Sequence, residues 1–250
     1  MTGTVIDARP TPGVPRPYEF PAFERIRLAN GLTVITAHLA GRPLVSATLV
    51  MRNGAADEPA EWAGATILAA RALSEGTEHY DAIELIEATE RLGASLHAEA
   101  SWDATSAGVE VPAARLPQAL ELLAEMVHRP TFPESEVERL RDERLNDLLQ
   151  ARADPRRRAE EAFTETIYTS ESPYHRPGGG TPETVEKLDR EILRAAYERG
   201  LDPARATFIV AGDLSGVHVP DLVNRLFGDW KPSPHVRALA SIPEIGRAHV

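Results

Sequence analysis

The sequence predicts an α+β domain: an antiparallel or mixed sheet with helices packed on one face. Three observations predict it. Strand-like runs come in pairs joined by turn signals, beginning with the Asn30-Gly31 pair. Helical stretches arrive in groups rather than alternating one for one with strands, as a doubly wound parallel sheet requires. The stretch 116–128 confines Leu116, Leu120, Leu123 and Val127 to one helical face, which suits a helix with one side on a core.

The elements follow in order. Pro10, Pro12, Pro15, Pro17 and Pro21 make residues 1–22 an extended arm rather than a packed element. Arg25–Leu28 and Thr33–His38 flank the hairpin signal, and Val45–Met51 reads as a third strand. Asp57-Glu58-Pro59 opens a helix expected over 60–73, with acidic residues where the dipole favours them. That helix is apolar nearly all round, the mark of a buried one. Asp81 caps a helix over 82–92 that Gly93 ends. Strands follow at 94–100 and 104–111, then the striped helix, a long charged helix over 134–153 and another over 157–167. The charge run Glu134–Arg144 reads as a solvated helix face. Residues 172–181 form a loop, helices start at Pro182 and Asp189, a buried strand spans 206–210, and a short helix spans 220–227. No internal repeat is visible.

Bulk properties exclude several functions. With 38 acidic and 27 basic side chains the formal net charge is -11, which argues against a nucleic-acid surface. There is no cysteine, so disulfides and thiolate-ligated metals are excluded. No apolar run approaches the ~20 residues that span a bilayer, and the first residues carry no signal-peptide pattern. A cytoplasmic location, with no membrane and no nucleic-acid partner, is the expectation.

Several segments stand together in order across 25–234. They are Asn30-Gly31-Leu32-Thr33-Val34, Arg52-Asn53-Gly54-Ala55-Ala56-Asp57-Glu58, Gly64, and Ser74-Glu75-Gly76-Thr77. Further on come Leu92-Gly93-Ala94-Ser95-Leu96-His97-Ala98, Arg129-Pro130-Thr131-Phe132, Ser172-Pro173-Tyr174-His175-Arg176-Pro177 and Gly180-Thr181-Pro182-Glu183. Val210-Ala211-Gly212-Asp213-Leu214 and Phe227-Gly228-Asp229-Trp230 close the set. The ordered set resembles the pitrilysin/insulinase (M16, mitochondrial-processing-peptidase-like) metallopeptidases and implies their LuxS/MPP-like metallohydrolase fold.

Active members carry His-x-x-Glu-His on the helix after the Gly64-like glycine. Two imidazoles at i and i+4 share a helix face and grip zinc, and the Glu activates its water. The resemblance places those histidines at Ile67 and Arg71, the general base at Ala70, and a distal carboxylate ligand at Asp147. Two of three ligands and the base are therefore replaced, and neither a metal site nor another cofactor is expected, although the family uses zinc. No two histidines lie within four residues of each other, and Glu75-Gly76-Thr77-Glu78-His79 reads as a turn. Arg71 is expected to pair with Asp147 in the vacated pocket. Gly178-Gly179-Gly180 lacks the Lys-Ser/Thr of a phosphate loop and reads as a flexible loop.

By resemblance Leu96, His97, Ala98, Glu99, Ala100 and Ser101 match the edge strand along which the family lays its substrate as an added strand. The competing reading is an ordinary edge strand whose charges deter aggregation. The domain is expected over 23–232, with a peptidase-like module over 23–177 and the start of the family's C-terminal module over 178–232. Residues 233–250 read as a linker ending in Ile245-Gly246-Arg247-Ala248-His249-Val250, which matches a translated sequencing adapter. An artificial tail and a missing second homologous domain are the expectation. Function then reads as a non-catalytic subunit that binds peptide beside a zinc-bearing His-x-x-Glu-His partner, or within a homodimer. The alternatives are an active zinc endopeptidase with a non-standard site and a structural or binding module.

Overall fold

The structure is a computed structural model describing residues 12–15 and 17–231. The expected tail, and the first eleven residues of the arm, lie outside the described residues. Residues 17–23 of the arm carry no regular secondary structure and are largely exposed.

The chain runs β1 (Glu24–Arg27), β2 (Thr33–His38), β3 (Leu44–Met51), α1 (Ala65–Ala72), α2 (Ala82–Arg91), β4 (Ser95–Ala100) and β5 (Thr105–Pro112). It continues through α3 (Leu116–His128), α4 (Glu134–Ala153), α5 (Pro155–Ile167), α6 (Pro182–Val185), α7 (Arg190–Gly200), β6 (Ala206–Gly212) and α8 (Val219–Phe227). The six strands form one mixed sheet in the order β1-β2-β6-β3-β5-β4. The β2–β6 pair is parallel and the rest are antiparallel. The last strand thus returns to the middle of the sheet, between β2 and β3.

Alternation fixes which face is buried. Val45, Ala47, Leu49 and Met51 of β3, with Ala107, Val109 and Val111 of β5 and Phe208 and Val210 of β6, pack into the core under the helices. The other face carries Ser46, Thr48, Glu110, Ile209 and His97 and stays partly or fully open. The α3 stripe is as the sequence implies: Leu116, Leu120, Leu123 and Val127 are fully buried. Each contributes roughly 1.5–3 kcal/mol of transfer free energy.

Local chemistry explains the hairpin. Gly31 takes φ +93, a conformation that favours glycine, and Asn30 Oδ1 accepts from the Leu32 N–H at 3.1 Å. The Asn30 amide also donates to the Phe227 carbonyl at 2.8 Å, tying the turn to the end of α8. At α2 a reciprocal capping box holds Asp81 and Glu84, with bonds of 2.8 and 3.0 Å.

The helix expected over 60–73 is shorter. Residues 55–57 and 60–62 form single 3-10 turns, and the α-helix begins only at Ala65. The break is Gly64, at φ +100. Glu58, expected inside the first turn, instead caps the helix from outside it. Its buried carboxylate accepts from Gly64 N at 2.7 Å and Thr66 N at 2.9 Å, taking up donors at the helix start.

Candidate functional site

The candidate site lies where α1, α4 and the free edge of β4 meet. Helix α1 packs against both α4 and β4. Among the described strands β4 pairs only with β5, which leaves its other edge open.

Helix α1 is held from its N-terminal end. A side chain on Gly64 would sit 2.9 Å from the Gly179 carbonyl, and one on Gly180 would sit 2.3 Å from the Ala63 carbonyl. Thr184 Oγ1 donates to that same carbonyl at 2.9 Å. The glycine run expected to be a flexible loop is therefore a packed clamp on the helix start; backbone meets backbone too closely for any Cβ. Arg176 adds bonds to the Ala55 and Glu58 carbonyls at 3.1 and 2.8 Å. Burial pushes the Glu58 carboxyl pKa up, against its hydrogen bonds from Thr66 and Gly64.

On α1, Ala65, Thr66, Leu68, Ala69, Ala70 and Ala72 are buried, while Ile67 and Arg71 are only partly so. The i, i+4 pair therefore forms the face the core does not cover, with a branched hydrocarbon and a guanidinium on it. Arg71 Nη2 donates to Glu143 Oε2 at 2.9 Å. Glu143 in turn accepts from Arg139 at 2.6 Å, and Arg139 also pairs with Glu75 at 2.8 Å and Glu136 at 2.7 Å. Hydrogen bonding from Arg139, and then from Arg71, holds the Glu143 carboxyl below its ordinary value.

The expected Arg71–Asp147 pair is corrected by this network. Glu143 stands one helical turn before Asp147 and its side chain is one methylene longer. No Arg71–Asp147 ion pair within 4.0 Å forms among the described residues, and Asp147 is exposed. The neighbouring Arg144 donates to the Gly179 carbonyl at 3.0 Å, linking α4 to the glycine clamp.

These residues do not fit zinc. Ile67 and Ala70 offer no lone pair, and Arg71 is a permanent cation. Among the described residues no group of three or more His, Asp or Glu side chains is placed to hold a metal ion. The Glu75–His79 segment is a turn whose ends bond elsewhere: Glu75 to Arg139, and His79 to Glu125 at 2.9 Å.

Along β4, Leu96 and Ala98 pack on the core cluster, whereas His97 and Glu99 point to the open face. The His97 ring lies over Gly108, where a Cβ would come within 2.6 Å of Nε2, and its Nδ1 is 3.4 Å from Glu110. Ala100 ends the strand. Ser101 lies beyond it, and its carbonyl already accepts from Ala55 N at 2.9 Å. The six edge residues are therefore not equivalent: residues 95–100 form the strand, and Ser101 belongs to the turn.

Sequence reasoning missed the wall beside this turn. Tyr174 stacks on Trp102 at 5.3 Å and donates to Asp103, which, with burial, pushes its phenol pKa up to about 12. The Ser172-Pro173-Tyr174 motif was the only signal, and nothing local ties it to residues 102 and 103.

No helix among the described residues is long and apolar enough to cross a membrane.

Comparison with known proteins adds the family. The sequence model for insulinase (peptidase family M16) matches residues 33–177, and that for the peptidase M16 inactive domain matches 187–248. An uncharacterized zinc protease of Mycobacterium leprae is 28% identical over 82% of this chain and 46% of its own length. A Helicobacter pylori protein named a non-peptidase homolog is 22% identical over 66% of this chain and 38% of its own. The chain spans about half the length of the first curated relatives it matches. Among solved structures, a peptidase M16 inactive domain from Pseudomonas fluorescens superposes with TM-score 0.80 at 23% identity, covering 88% of this chain and 53% of that one. Pitrilysin superposes with TM-score 0.77 at 21% identity, covering 90% and 24%. A family model matched over more than half of the residues, on a fold those neighbours share, makes this chain a member of the insulinase family, peptidase family M16.

Proposed function

We propose that this chain is a non-catalytic member of its family that binds an extended peptide along the free edge of β4, beside a zinc-bearing His-x-x-Glu-His subunit. The observation that carries the reading is the coexistence of two states in one place. The helix face that would hold metal and base carries Ile67, a buried Ala70 methyl and an ion-paired Arg71. The edge strand next to it pairs on one side only among the described residues, which leaves a row of backbone donors and acceptors on its outer edge. Such a row accepts an added strand.

Chemistry on a peptide bond needs an activated water or nucleophile, and α1 supplies neither, so cleavage falls to the partner. The non-peptidase name of one relative and the inactive-domain match support the reading, while relatives named zinc proteases set the contrary expectation. Solubility and a cytoplasmic site belong to the same proposal.

The test is hydrogen exchange on the purified chain with and without an extended peptide of about ten residues, a length ample for a six-residue strand. The reading expects slowed exchange across residues 95–100 and no peptide cleavage. Unchanged exchange at β4, or cleavage by the chain alone that a chelator stops, would overturn it.

A further inference from the structure

The sheet packs its helices under one face, and the strand pairings lay out what the other face carries. Residues paired directly across neighbouring strands share a face. One row therefore runs Arg25, Ile35, Ile209, Thr48, Gly108, His97 from β1 to β4. The next row begins at Arg27 and ends at Glu99. Glu110, 3.4 Å from His97 Nδ1, lies in the row on the other side. The face is thus basic along β1, acidic along β5 and β4, and uncharged between. There β2, β6 and β3 place only threonine, serine and apolar side chains on it. Leu44 is 64% exposed and Ile209 38%. Among the described residues Arg25 and Glu99 have no ion-pair partner, and Arg27 has only the Gly31 carbonyl, at 3.1 Å. A sheet face open to water ordinarily carries polar side chains outward, so an apolar middle framed by unpaired opposite charges needs an explanation.

We propose that two copies of this chain stack these faces on each other, about a twofold axis that runs along the strands between β6 and β3. The charge pattern selects both the occupant and the axis. An axis along the strands sets β1 of one copy over β4 of the other and keeps the rows aligned. Arg27 of each copy then meets Glu99 of the other, and Arg25 stands over His97 beside Glu99 and Glu110. An axis across the strands would set β1 over β1, arginine against arginine, which like charge opposes. At the centre Ile209 of each copy covers Thr48 of the other, on sheets about 10 Å apart. Six strands about 4.8 Å apart and about six residues long make a face of roughly 500 Å². Stacking therefore covers roughly 1,000 Å² in all, the low end of specific interfaces. Each contact occurs twice, as a closed symmetric pair requires. The pair stands apart from the peptide reading: it covers the face of β4 away from the helices and leaves the strand's outer edge and α1 free.

The test is sedimentation velocity of the purified chain, without peptide, from about 1 to about 100 μM, the range in which an interface of this size assembles. The proposal expects the mass to rise from that of one chain to that of two. Ile209→Lys sets a charge near the axis and should weaken association at least about tenfold. Glu99→Arg should weaken it roughly tenfold, because the change counts twice in a symmetric pair, and adding Arg27→Glu should restore it. The mass of one chain at every concentration would overturn the proposal. So would a dimer that Ile209→Lys leaves intact, which would use another surface. A Glu99→Arg defect that Arg27→Glu does not repair would also overturn it, because β1 would not then lie over β4. Glu99 and Arg27 are exposed on edge strands, so the charge exchange decides the matter even if Ile209→Lys fails to fold.

Discussion

Replacing Glu58 with alanine should destabilise the protein more than any other change to a single charged residue near the site. The side chain is 8% exposed and accepts two backbone hydrogen bonds, from Gly64 at 2.7 Å and Thr66 at 2.9 Å. Both donors belong to the start of α1, where the helix cannot supply acceptors of its own. Removing the carboxylate leaves two buried N–H groups without a partner. At about 1.5 kcal/mol each, the loss is about 3 kcal/mol. For a chain of this size that lowers Tm by roughly 6–12 °C. Thermal unfolding followed by circular dichroism measures it, with exchange of the Thr66 and Ile67 amides as the local reading. The direction with pH follows from the raised Glu58 pKa. The folded state holds this proton more tightly than the unfolded one, so the Glu58 contribution is fully present below the unfolded pKa and declines as pH rises through the folded value. The gap between wild type and Glu58→Ala should therefore widen as pH falls from 7 through the folded pKa towards the unfolded one. A Tm change under about 2 °C, or a gap that narrows on acidification, would refute the capping argument.

Other changes test the remaining pieces. Gly180→Ala places a Cβ 2.3 Å from the Ala63 carbonyl at φ +75, and should cost at least about 2 kcal/mol in denaturant unfolding. Arg71→Ala removes an exposed ion pair with Glu143 and should change stability by less than about 1 kcal/mol, an effect that added salt erases. The double variant Ile67→His, Arg71→His puts two imidazoles on the uncovered face of α1 and removes one of the two arginines that hold Glu143, leaving its other bond to Arg139, so it should retain zinc through desalting, as metal analysis would show. It should still cleave nothing, because Ala70 supplies no base.

Much of the fold was legible in local sequence. The Asn30-Gly31 turn, the Asp81–Glu84 capping box and the leucine stripe of α3 each depend on residues a few positions apart. What depended on distant partners was not. The break before α1 needs Glu58 turned back onto Gly64 and a glycine loop more than a hundred residues away. The insertion of β6 between β2 and β3 is a long-range pairing that no periodicity encodes. The side chains that α1 presents toward the candidate site, Ile67, Ala70 and Arg71, could be read directly, and the reading that they stand where the family's metal ligands and base would be rests on the resemblance. The partner of Arg71 could not, because Glu143 and Asp147 lie on one face of α4, and side-chain reach decides between them. The buried ring nitrogens of His128 and Trp230, which lack a hydrogen-bond partner among the described residues, were likewise invisible, since only packing shows which polar atoms lack a partner.

The central claim is that α1 has lost its metal chemistry while the scaffold around it is kept. The most direct measurement is the zinc-to-protein ratio of the purified chain after exposure to zinc and desalting. The account predicts a ratio near zero, unchanged in Asp147→Ala. A ratio near one that Asp147→Ala abolishes would mean that this face of α4 still takes part in a metal site, and the account would be wrong.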